Sequence, residues 1–244
     1  MDYKKLAYDI VAWIKDEVEK AGLDGLVFGI SGGVDSSVLA ALSKMAFPDN
    51  SLGLIMPIDS DPNDERDAIL LADSINLSYS KVDLSDPFHI LMDKFEDVKE
   101  DMAMYNVKAR LRMIALYYYG QNNRYLVGSG SNRSEFMIGY FTKYGDSGAD
   151  ILPLVNLYKK DIYGLAKVLD IPEEIIGRKP SAGLFPGQSD EDELGFSYDE
   201  LDTYLEDNFI ENSDKKEIID RKVKNSAHKR EFARSFTFDR EKYL

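Results

Sequence analysis

Apolar positions along the first half of the chain follow two different spacings. Leu6, Ile10, Trp13, Ile14 and Val18 recur every three or four residues, which predicts an amphipathic helix that ends near Gly22. A short continuous apolar run, typical of a buried strand, covers residues 25–30, and further strands are predicted at 51–57, 79–83 and 124–128. Helical spacing returns between and after these runs, at residues 36–47, 62–75, 87–95 and 102–119.

This alternation of strands and helices predicts an α/β fold with a Rossmann-like parallel sheet and helices on both faces. A ligand is expected at the carboxyl ends of the strands. The second half is less regular, with helices predicted at 161–169, 198–205 and 215–224 and a long surface loop at 177–195. No repeat, low-complexity segment or sharp boundary is visible, so we expect residues 1–244 to form a single domain.

Composition narrows the possible functions. With 44% hydrophobic and 30% charged residues, the 244-residue chain has an ordinary globular balance. Its 30 basic and 44 acidic residues leave a formal charge of −14, which repels nucleic-acid phosphates, so we expect no nucleic-acid partner. We also expect a cytoplasmic protein without membrane contact, because no signal segment is visible and no run approaches the ~18 apolar residues of a membrane span.

Candidate chemistry is concentrated in the run Ile30-Ser31-Gly32-Gly33-Val34-Asp35-Ser36-Ser37, between an apolar strand and an apolar helix. Glycine has no Cβ to block a ligand, so the N–H groups of such a turn suit phosphate oxygens. The positive N-terminus of the next helix adds to this attraction. Asp35 would repel bound phosphates unless a cation bridges them, which indicates Mg²⁺. The alternative is a plain strand–turn–helix connection with serine and aspartate as caps.

The turn lacks the Gly-x-x-x-x-Gly-Lys-Ser/Thr pattern of a Walker loop. It resembles instead the signature of the adenine-nucleotide α-hydrolase-like ATP pyrophosphatases. These enzymes cleave ATP between the α- and β-phosphates by adenylating a substrate oxygen. They include GMP synthetase, asparagine and argininosuccinate synthetases, tRNA-modifying enzymes and NAD synthetase. The charge of −14 and the absence of cysteine disfavour the sulfur-transferring tRNA enzymes.

The remaining motifs resemble the NAD synthetase family, in order and over essentially the whole chain. They lie at residues 131–135, 139–146, 150, 153, 157–159, 179–184, 187–191, 193–195 and 228–230. Blocks 142–146 and 228–230 disfavour a GMP synthetase-like amidotransferase, which is the first alternative. The second alternative is a non-catalytic nucleotide-binding protein, which would not need Asp35, Glu135 and Lys159 together.

The resemblance implies a role for each matching residue. ATP phosphates would contact Lys159, Ser181 and the turn formed by Gly29, Ile30, Ser31, Gly32, Gly33, Val34, Asp35 and Ser36. Mg²⁺ would be ligated by Asp35 and Glu135. Deamido-NAD would contact Arg110, Lys143, Asp150, His228 and Lys229. Asp146 would lie beside the nicotinate end, where ammonia arrives, and would act in catalysis together with Lys159.

The implied reaction is the ATP-dependent amidation of deamido-NAD to NAD, catalysed by a ligase of NAD biosynthesis that releases AMP and pyrophosphate. A nicotinate carboxylate is a poor electrophile, and transfer of AMP removes its charge and creates a leaving group. Mg²⁺ and Lys159 can stabilise the negative charge that develops on the phosphates. Either Asp146 or Asp150 could bind ammonium and take its proton.

One position departs from the family pattern. Relatives carry Gly-Thr where this chain has Ser129 and Gly130, and the threonine touches ATP. The expected contact at Gly130 therefore lacks a hydroxyl, unless Ser129 or Ser131 supplies one.

The nitrogen source and the assembly are also predicted. Glutamine-dependent relatives add an amidase domain with a cysteine nucleophile, and this chain has neither the length nor a cysteine. We therefore expect free ammonia, or ammonia from a separate donor protein. The resemblance implies a homodimer with deamido-NAD bound across the interface. The helix that carries Arg110 and residues 87–105 are the candidate contact regions.

Some groups have plainer interpretations. The acidic run at 190–193 is predicted to be a solvated loop, and His89 is assigned a structural role. The tyrosines at 117–119 are assigned to the core or an interface. Residues 228–230 lie in a basic stretch that could equally form one exposed helix face.

Overall fold

The computed structural model describes residues 1–181 and 189–244. Its centre is a parallel sheet of four strands in the order β3-β2-β1-β4. The strands are β1 (Gly25–Gly29), β2 (Ser51–Ile55), β3 (Ser78–Lys81) and β4 (Tyr125–Gly128). The chain runs outward from β1 to β3 and returns to the other side of β1 as β4. The strand order therefore reverses between β1 and β4, the place where open α/β sheets bind ligands.

Helices occupy most of the remaining described chain. They are α1 (Tyr3–Lys20), α2 (Val34–Ala46), α3 (Pro62–Ser74), α4 (Ser85–Met92), α5 (Asp101–Asn123), α6 (Arg133–Ile138), α7 (Lys159–Val168), α8 (Glu173–Ile176), α9 (Asp190–Leu194), α10 (Tyr198–Asp207) and α11 (Ser213–Asn225). Two 3₁₀ helices, Ala227–Lys229 and Arg240–Tyr243, follow α11. Among the described residues, no helix has the length and apolar character needed to cross a membrane.

Helices cover both faces of the sheet. Side chains of a strand point alternately to its two faces, so Leu26 and Phe28 join the buried cluster that contains residues of α1, α2 and α7, whereas Val27 packs with α5. Gly120 allows α5 to approach the sheet closely, because a Cβ there would lie 3.0 Å from the carbonyl oxygen of Tyr125. The carboxyl ends of β1 and β4 therefore open between two packed layers of helices.

A separate apolar cluster joins α6 to the C-terminal helices. It consists of Ile138, Leu194, Phe196, Tyr198, Leu201, Tyr204 and Ile219. The buried carboxylate of Asp202 on α10 accepts hydrogen bonds from the hydroxyl of Ser134 and from the backbone N–H of Lys160. These bonds fix α10 against the first residues of α6 and α7.

The predicted α/β class and parallel sheet are confirmed, and most predicted elements lie within a few residues of their observed bounds. The short helices α6 and α8 were not predicted, because six and four residues are too few to display a helical period. The prediction of a solvated loop at 190–193 is wrong about the conformation and about Asp190, although Asp192 and Glu193 are exposed as predicted. Those residues belong to α9, and Asp190 is only 3% exposed. Residues 182–188 of the predicted loop lie outside the described residues.

Candidate active site

The turn between β1 and α2 has a geometry suited to phosphate. Gly32 has a φ of +78°, and a Cβ there would lie 2.6 Å from the carbonyl oxygen of Asp64, so glycine is required. The hydroxyl of Ser36 accepts from the N–H of Ser31 at 3.2 Å and donates to the carbonyl of Gly33 at 2.9 Å. These bonds hold the turn at the positive N-terminus of α2, a helix of 13 residues.

A cavity of about 800 Å³ opens beside this turn, at the carboxyl ends of the strands. Its volume is within the range of small-molecule and cofactor sites. The predicted site residues that line it are Gly29, Ile30, Ser31, Gly33, Val34, Asp35, Ser36, Gly130, Glu135, Asp146, Lys159, Ser181 and Lys229. Both predicted metal ligands and all the predicted ATP residues except Gly32 therefore line one cavity, together with Asp146 and Lys229.

Lys159 is the centre of the charged cluster in this cavity. The first residue of α7, it is only 3% exposed. Its ammonium lies 2.6 Å from Asp35 Oδ2 and 2.9 Å from Glu135 Oε1. Three elements that are distant in the sequence therefore bring one cation and two carboxylates together beside the turn.

Asn132 fixes the two carboxylates relative to each other. Its side-chain oxygen caps α6 by accepting from the N–H of Glu135 at 3.0 Å, and its amide donates to Asp35 Oδ1 at 2.8 Å. Asn132 is fully buried, so these bonds are shielded from water. One ordinary helix cap thereby positions both predicted metal ligands.

Burial and charge act against each other in this cluster. Burial alone would lower the pKa of Lys159, but the negative charges of Asp35 and Glu135 outweigh it and raise that pKa. Burial raises the pKa of Glu135, while the nearby Lys159 opposes the rise. The lysine is therefore an ammonium at neutral pH, and its charge opposes the effect of burial on the pKa of Glu135.

Asp146 lies in another part of the cavity wall. Its carboxylate accepts from the N–H of Thr142 at 2.8 Å. The surrounding walls disfavour the charged form and raise the pKa of Asp146, although water in the open cavity reaches the side chain. Lys229 contributes a cation to the same wall and donates to the carbonyls of Gly139 and Phe141 at 2.8 and 2.9 Å.

Four predicted contacts to deamido-NAD are placed next to the cavity but are absent from the described residues that line it: Arg110, Lys143, Asp150 and His228. Arg110 donates to the carbonyl of Lys143 at 3.3 Å, and the ammonium of Lys143 donates to the carbonyl of His228 at 2.5 Å. The carboxylate of Asp150 accepts from the N–H of Val127 on β4 at 2.8 Å. In one copy of the protein, hydrogen bonds therefore connect Arg110, Lys143 and the backbone of His228 near the surface. Asp150 instead holds strand β4 in place.

Residue 130 is glycine at a crowded position. A Cβ on Gly130 would lie 3.2 Å from the carbonyl oxygen of Asp35, so any side chain there presses on α2. The neighbouring hydroxyls of Ser129 and Ser131 are 3.1 Å apart, and Ser129 donates to the carbonyl of Asp146 at 2.7 Å. Ser131 is therefore the hydroxyl that is better placed to meet a ligand in the cavity.

Sequence reasoning missed several residues of the site. Tyr198 donates its hydroxyl at 3.0 Å to Glu135, although the two are 63 residues apart, and no spacing pattern could reveal this contact. Arg112 lines the cavity and donates to the carbonyl of Met56 at 2.9 Å. Asn132 could have been found, because an asparagine three residues before a glutamate is a common helix-start signal. Motif residues 182–184 and 187–188 lie outside the described residues.

The phosphate-suited turn at the point of strand-order reversal, with a buried lysine shared by two carboxylates, defines a nucleotide-using enzyme with an α/β fold. Comparison with known proteins identifies the family. A model of the NAD synthase family matches residues 6–237. The chain therefore belongs to the NAD synthase family.

Individual relatives agree with this assignment. The chain is 62% identical to the NH(3)-dependent NAD(+) synthetase of Finegoldia magna over the full length of both proteins. It is 45% identical to the enzyme of the same name from Carboxydothermus hydrogenoformans, covering 84% of this chain and 86% of the relative. The predicted family and activity, ligation of ammonia to deamido-NAD to form NAD, are confirmed, as is the use of ATP.

Solved structures resemble the whole chain. The NMN synthetase of Francisella tularensis superposes with a TM-score of 0.93 at 36% identity, covering 98% of this chain and all of that one. The NH3-dependent NAD synthetase of Campylobacter jejuni, in complex with a nitrate ion, superposes with a TM-score of 0.83 at 29% identity. It covers 97% of this chain and 100% of its own.

Proposed function

We propose that the enzyme activates deamido-NAD by attaching AMP to its nicotinate carboxylate, and that ammonia then displaces the AMP. A carboxylate oxygen attacks the α-phosphorus of ATP, and the bond from that phosphorus to the β-phosphate oxygen breaks, releasing pyrophosphate. The observation that carries this proposal is the Lys159–Asp35–Glu135 cluster beside the β1–α2 turn, where phosphate charge can be neutralised.

The residues suited to ATP phosphates surround the turn. The N-terminus of α2 provides backbone N–H donors for phosphate. The N–H groups of Ile30, Ser31 and Gly33 already donate within the protein and hold the turn in shape. Lys159 adds a fixed positive charge, and Ser181 lines the same cavity. Ser131 takes the place of the missing threonine hydroxyl at Gly130, because Ser129 is already engaged with the carbonyl of Asp146.

Mg²⁺ fits the two carboxylates of the cluster. Mg²⁺ is typically bound through one or two carboxylates, with substrate phosphates and water completing its shell. Asp35 and Glu135 supply such a pair of oxygen ligands, and both approach one cation, Lys159, within 3 Å. When bound, Mg²⁺ would offset the charge of the phosphates and of the departing pyrophosphate.

Asp146, rather than Asp150, is the better candidate to receive ammonium. Asp146 lines the cavity, and its environment raises its pKa, which favours a group that accepts a proton. Asp150 instead uses its carboxylate to hold Val127 and Tyr117. Asp146 would bind ammonium, take one proton and leave ammonia free to attack the adenylate.

The deamido-NAD site is completed in a homodimer in this proposal. One face of α5 carries an exposed stripe of residues spaced four apart: Arg110, Ile114 and Tyr118. Ile114 is 59% exposed and Tyr118 is 66% exposed. A second copy on this stripe would lie next to Lys143 and His228.

We further propose that residues 1–244 act as one domain in the cytoplasm, with free ammonia or a separate donor protein as the nitrogen source.

A second candidate acceptor is the mononucleotide of nicotinic acid. The observation that favours it is the NMN synthetase of Francisella tularensis, which exceeds the Campylobacter jejuni enzyme in both TM-score and identity. Both acceptors present the same nicotinate carboxylate to ATP, so the Lys159 cluster serves either one. The ratio of kcat/KM for deamido-NAD and for nicotinate mononucleotide measures whether the enzyme uses the mononucleotide in addition to deamido-NAD.

Mass spectrometry of the products tests the proposed reaction. The protein is mixed with ATP, Mg²⁺, ammonium and deamido-NAD, and we expect NAD, AMP and pyrophosphate in equal amounts. Xanthosine monophosphate replaces deamido-NAD in a control, and activity with it alone would favour a GMP synthetase-like enzyme. Release of ADP and orthophosphate would contradict the proposal.

A further inference from the structure

Tyr198 contacts the charged cluster from outside the residues assigned to ATP or Mg²⁺. It is 5% exposed, and its hydroxyl lies 3.0 Å from Glu135 Oε1 and 3.0 Å from Asp190 Oδ2. The ammonium of Lys159 lies 4.8 Å from the centre of its ring. One side chain of α10 therefore touches both the lysine and one carboxylate of the cluster.

The position of this hydroxyl is fixed by the structure around it. Ser197 and Glu200 form a reciprocal cap at the start of α10, and the N–H of Tyr198 donates to Glu191 at 2.8 Å. The ring packs in the apolar cluster that joins α6 to the C-terminal helices. A side chain held from both ends loses little further freedom when it donates a hydrogen bond.

The proton of this hydroxyl is available to Glu135. A tyrosine phenol carries its proton at physiological pH, so the hydroxyl can donate a hydrogen bond to Glu135. Asp190 also faces the hydroxyl of Tyr140 at 3.0 Å, which in turn lies 2.9 Å from Glu193, so two tyrosine protons are distributed over the three carboxylates Glu135, Asp190 and Glu193.

We propose that Tyr198 is a positioning residue that orients the carboxylate of Glu135 and thereby sets the affinity of the site for a divalent cation. Carboxylates that ligate metals are commonly held by such hydrogen bonds. In this chain the bond approaches Glu135 Oε1, the oxygen that also faces Lys159. The inference rests on the proposed role of Glu135 as a Mg²⁺ ligand.

The test compares Tyr198→Phe with Tyr204→Phe. Tyr204 lies on the same helix, is 7% exposed, donates to Asp220 at 2.5 Å and has Lys216 above its ring at 5.1 Å. Both variants remove one buried hydroxyl next to a carboxylate and a lysine, but only Tyr198 touches Glu135. Thermal unfolding of the two variants measures the structural cost that they share.

Cation binding is measured directly, by electron paramagnetic resonance of Mn²⁺ with an ATP analogue that carries a methylene group between the α- and β-phosphorus atoms. We expect Tyr198→Phe to weaken Mn²⁺ binding by about 10- to 100-fold, the usual cost of losing a hydrogen bond to a metal ligand. Tyr204→Phe should match the wild type. The Mg²⁺ concentration for half-maximal rate should rise in parallel, while kcat at saturating Mg²⁺ changes little.

A rescue variant keeps the test decisive if Tyr198→Phe is poorly folded. Replacement of Tyr198 by p-aminophenylalanine restores an N–H donor at the same place and should recover most of the Mn²⁺ affinity. Unchanged Mn²⁺ binding in Tyr198→Phe, or an equal loss in Tyr204→Phe, would overturn the inference. The variant Glu135→Gln distinguishes a failure of this inference from a failure of the proposed metal site. If Glu135→Gln also leaves Mn²⁺ binding intact, Glu135 is not a metal ligand, and the proposed role of Tyr198 fails with it.

Discussion

The side chains at the two ends of the cavity differ in how firmly one copy of the protein holds them in place. At the ATP end, Lys159 is 3% exposed and is held by Asp35 and Glu135, and these carboxylates are themselves held by Asn132 and Tyr198. At the acceptor end, Arg110 and Lys143 donate to backbone carbonyls near the surface. The same family resemblance assigned residues at both ends. One copy therefore holds the charged cluster at the ATP end in place, and the acceptor end is where the proposed second copy would contribute.

The largest expected effect is at the ATP end. Lys159→Met removes the only cation placed between Asp35 and Glu135 among the described residues, so phosphate charge loses its fixed partner. We expect kcat to fall by about 10³-fold, the upper end for one charge-stabilising donor. Quantification of AMP by liquid chromatography measures the loss.

Lys160→Met is the matched control for this change. Lys160 is the next residue of α7, and its ion pair with Glu206 is exposed at the surface. Such pairs contribute about 0–1 kcal/mol, so the rate should remain close to that of the wild type. Equal losses in the two variants would mean that Lys159 acts only through the stability of α7.

The next effect separates the two half-reactions. Asp146→Asn should lower kcat/KM for ammonium by about 100-fold, the lower end for the loss of a proton acceptor, while pyrophosphate release in single turnovers persists. Asp150→Asn is the comparison, because it weakens the brace on β4 without touching the cavity. It should lower Tm and leave the KM for ammonium unchanged. If Asp150→Asn, and not Asp146→Asn, lowers kcat/KM for ammonium, Asp150 is the residue that binds ammonium.

A third prediction addresses the acceptor end. Ile114→Arg places a charge on the exposed α5 stripe and should convert a dimer to a monomer in analytical ultracentrifugation. We expect the KM for deamido-NAD to rise about tenfold or more, while the affinity for the ATP analogue stays within about twofold. A monomer with unchanged deamido-NAD binding would show that one copy builds both ends of the cavity.

The smallest effect concerns the support of Tyr198. Hydrogen bonds from Lys215 and from the N–H of Ser197 lower the pKa of Glu200. A carboxylate with a lowered folded-state pKa stabilises the protein above its unfolded pKa, and this contribution is lost as pH falls through the folded value. Glu200→Gln should therefore reduce the free energy of unfolding by about 0.5–1 kcal/mol at pH 7. The difference from the wild type should vanish in acid, and a difference that persists at low pH would contradict this cause.

The sequence predicts those parts of the molecule whose signal lies within a contiguous stretch of residues. Helices of ten or more residues show a periodic apolar pattern, β1 is a continuous apolar run, and the β1–α2 turn is one short motif. Family resemblance added residues that are far apart in the chain, including Glu135 and Lys159. Their mutual contact could not be derived from spacing, because it depends on how α6 and α7 meet.

The failures have the same physical origin. Asp190 was assigned to solvent because a run of acidic residues is usually exposed, yet packing of α9 buries it against Tyr140 and Tyr198. Tyr198 carried no local signal, because its role depends on a partner 63 residues away. Tertiary packing, rather than local pattern, decides which polar groups become part of a site.

The most direct test of the account follows the oxygen atoms of the acceptor. Deamido-NAD is labelled with ¹⁸O in its nicotinate carboxylate and is turned over with ATP, Mg²⁺ and ammonium, and the AMP is analysed by mass spectrometry. We expect one labelled oxygen in AMP and the other in the amide of NAD, because the carboxylate attacks the α-phosphorus. Unlabelled AMP, or label in the released phosphates, would contradict adenylation at the Lys159 cluster.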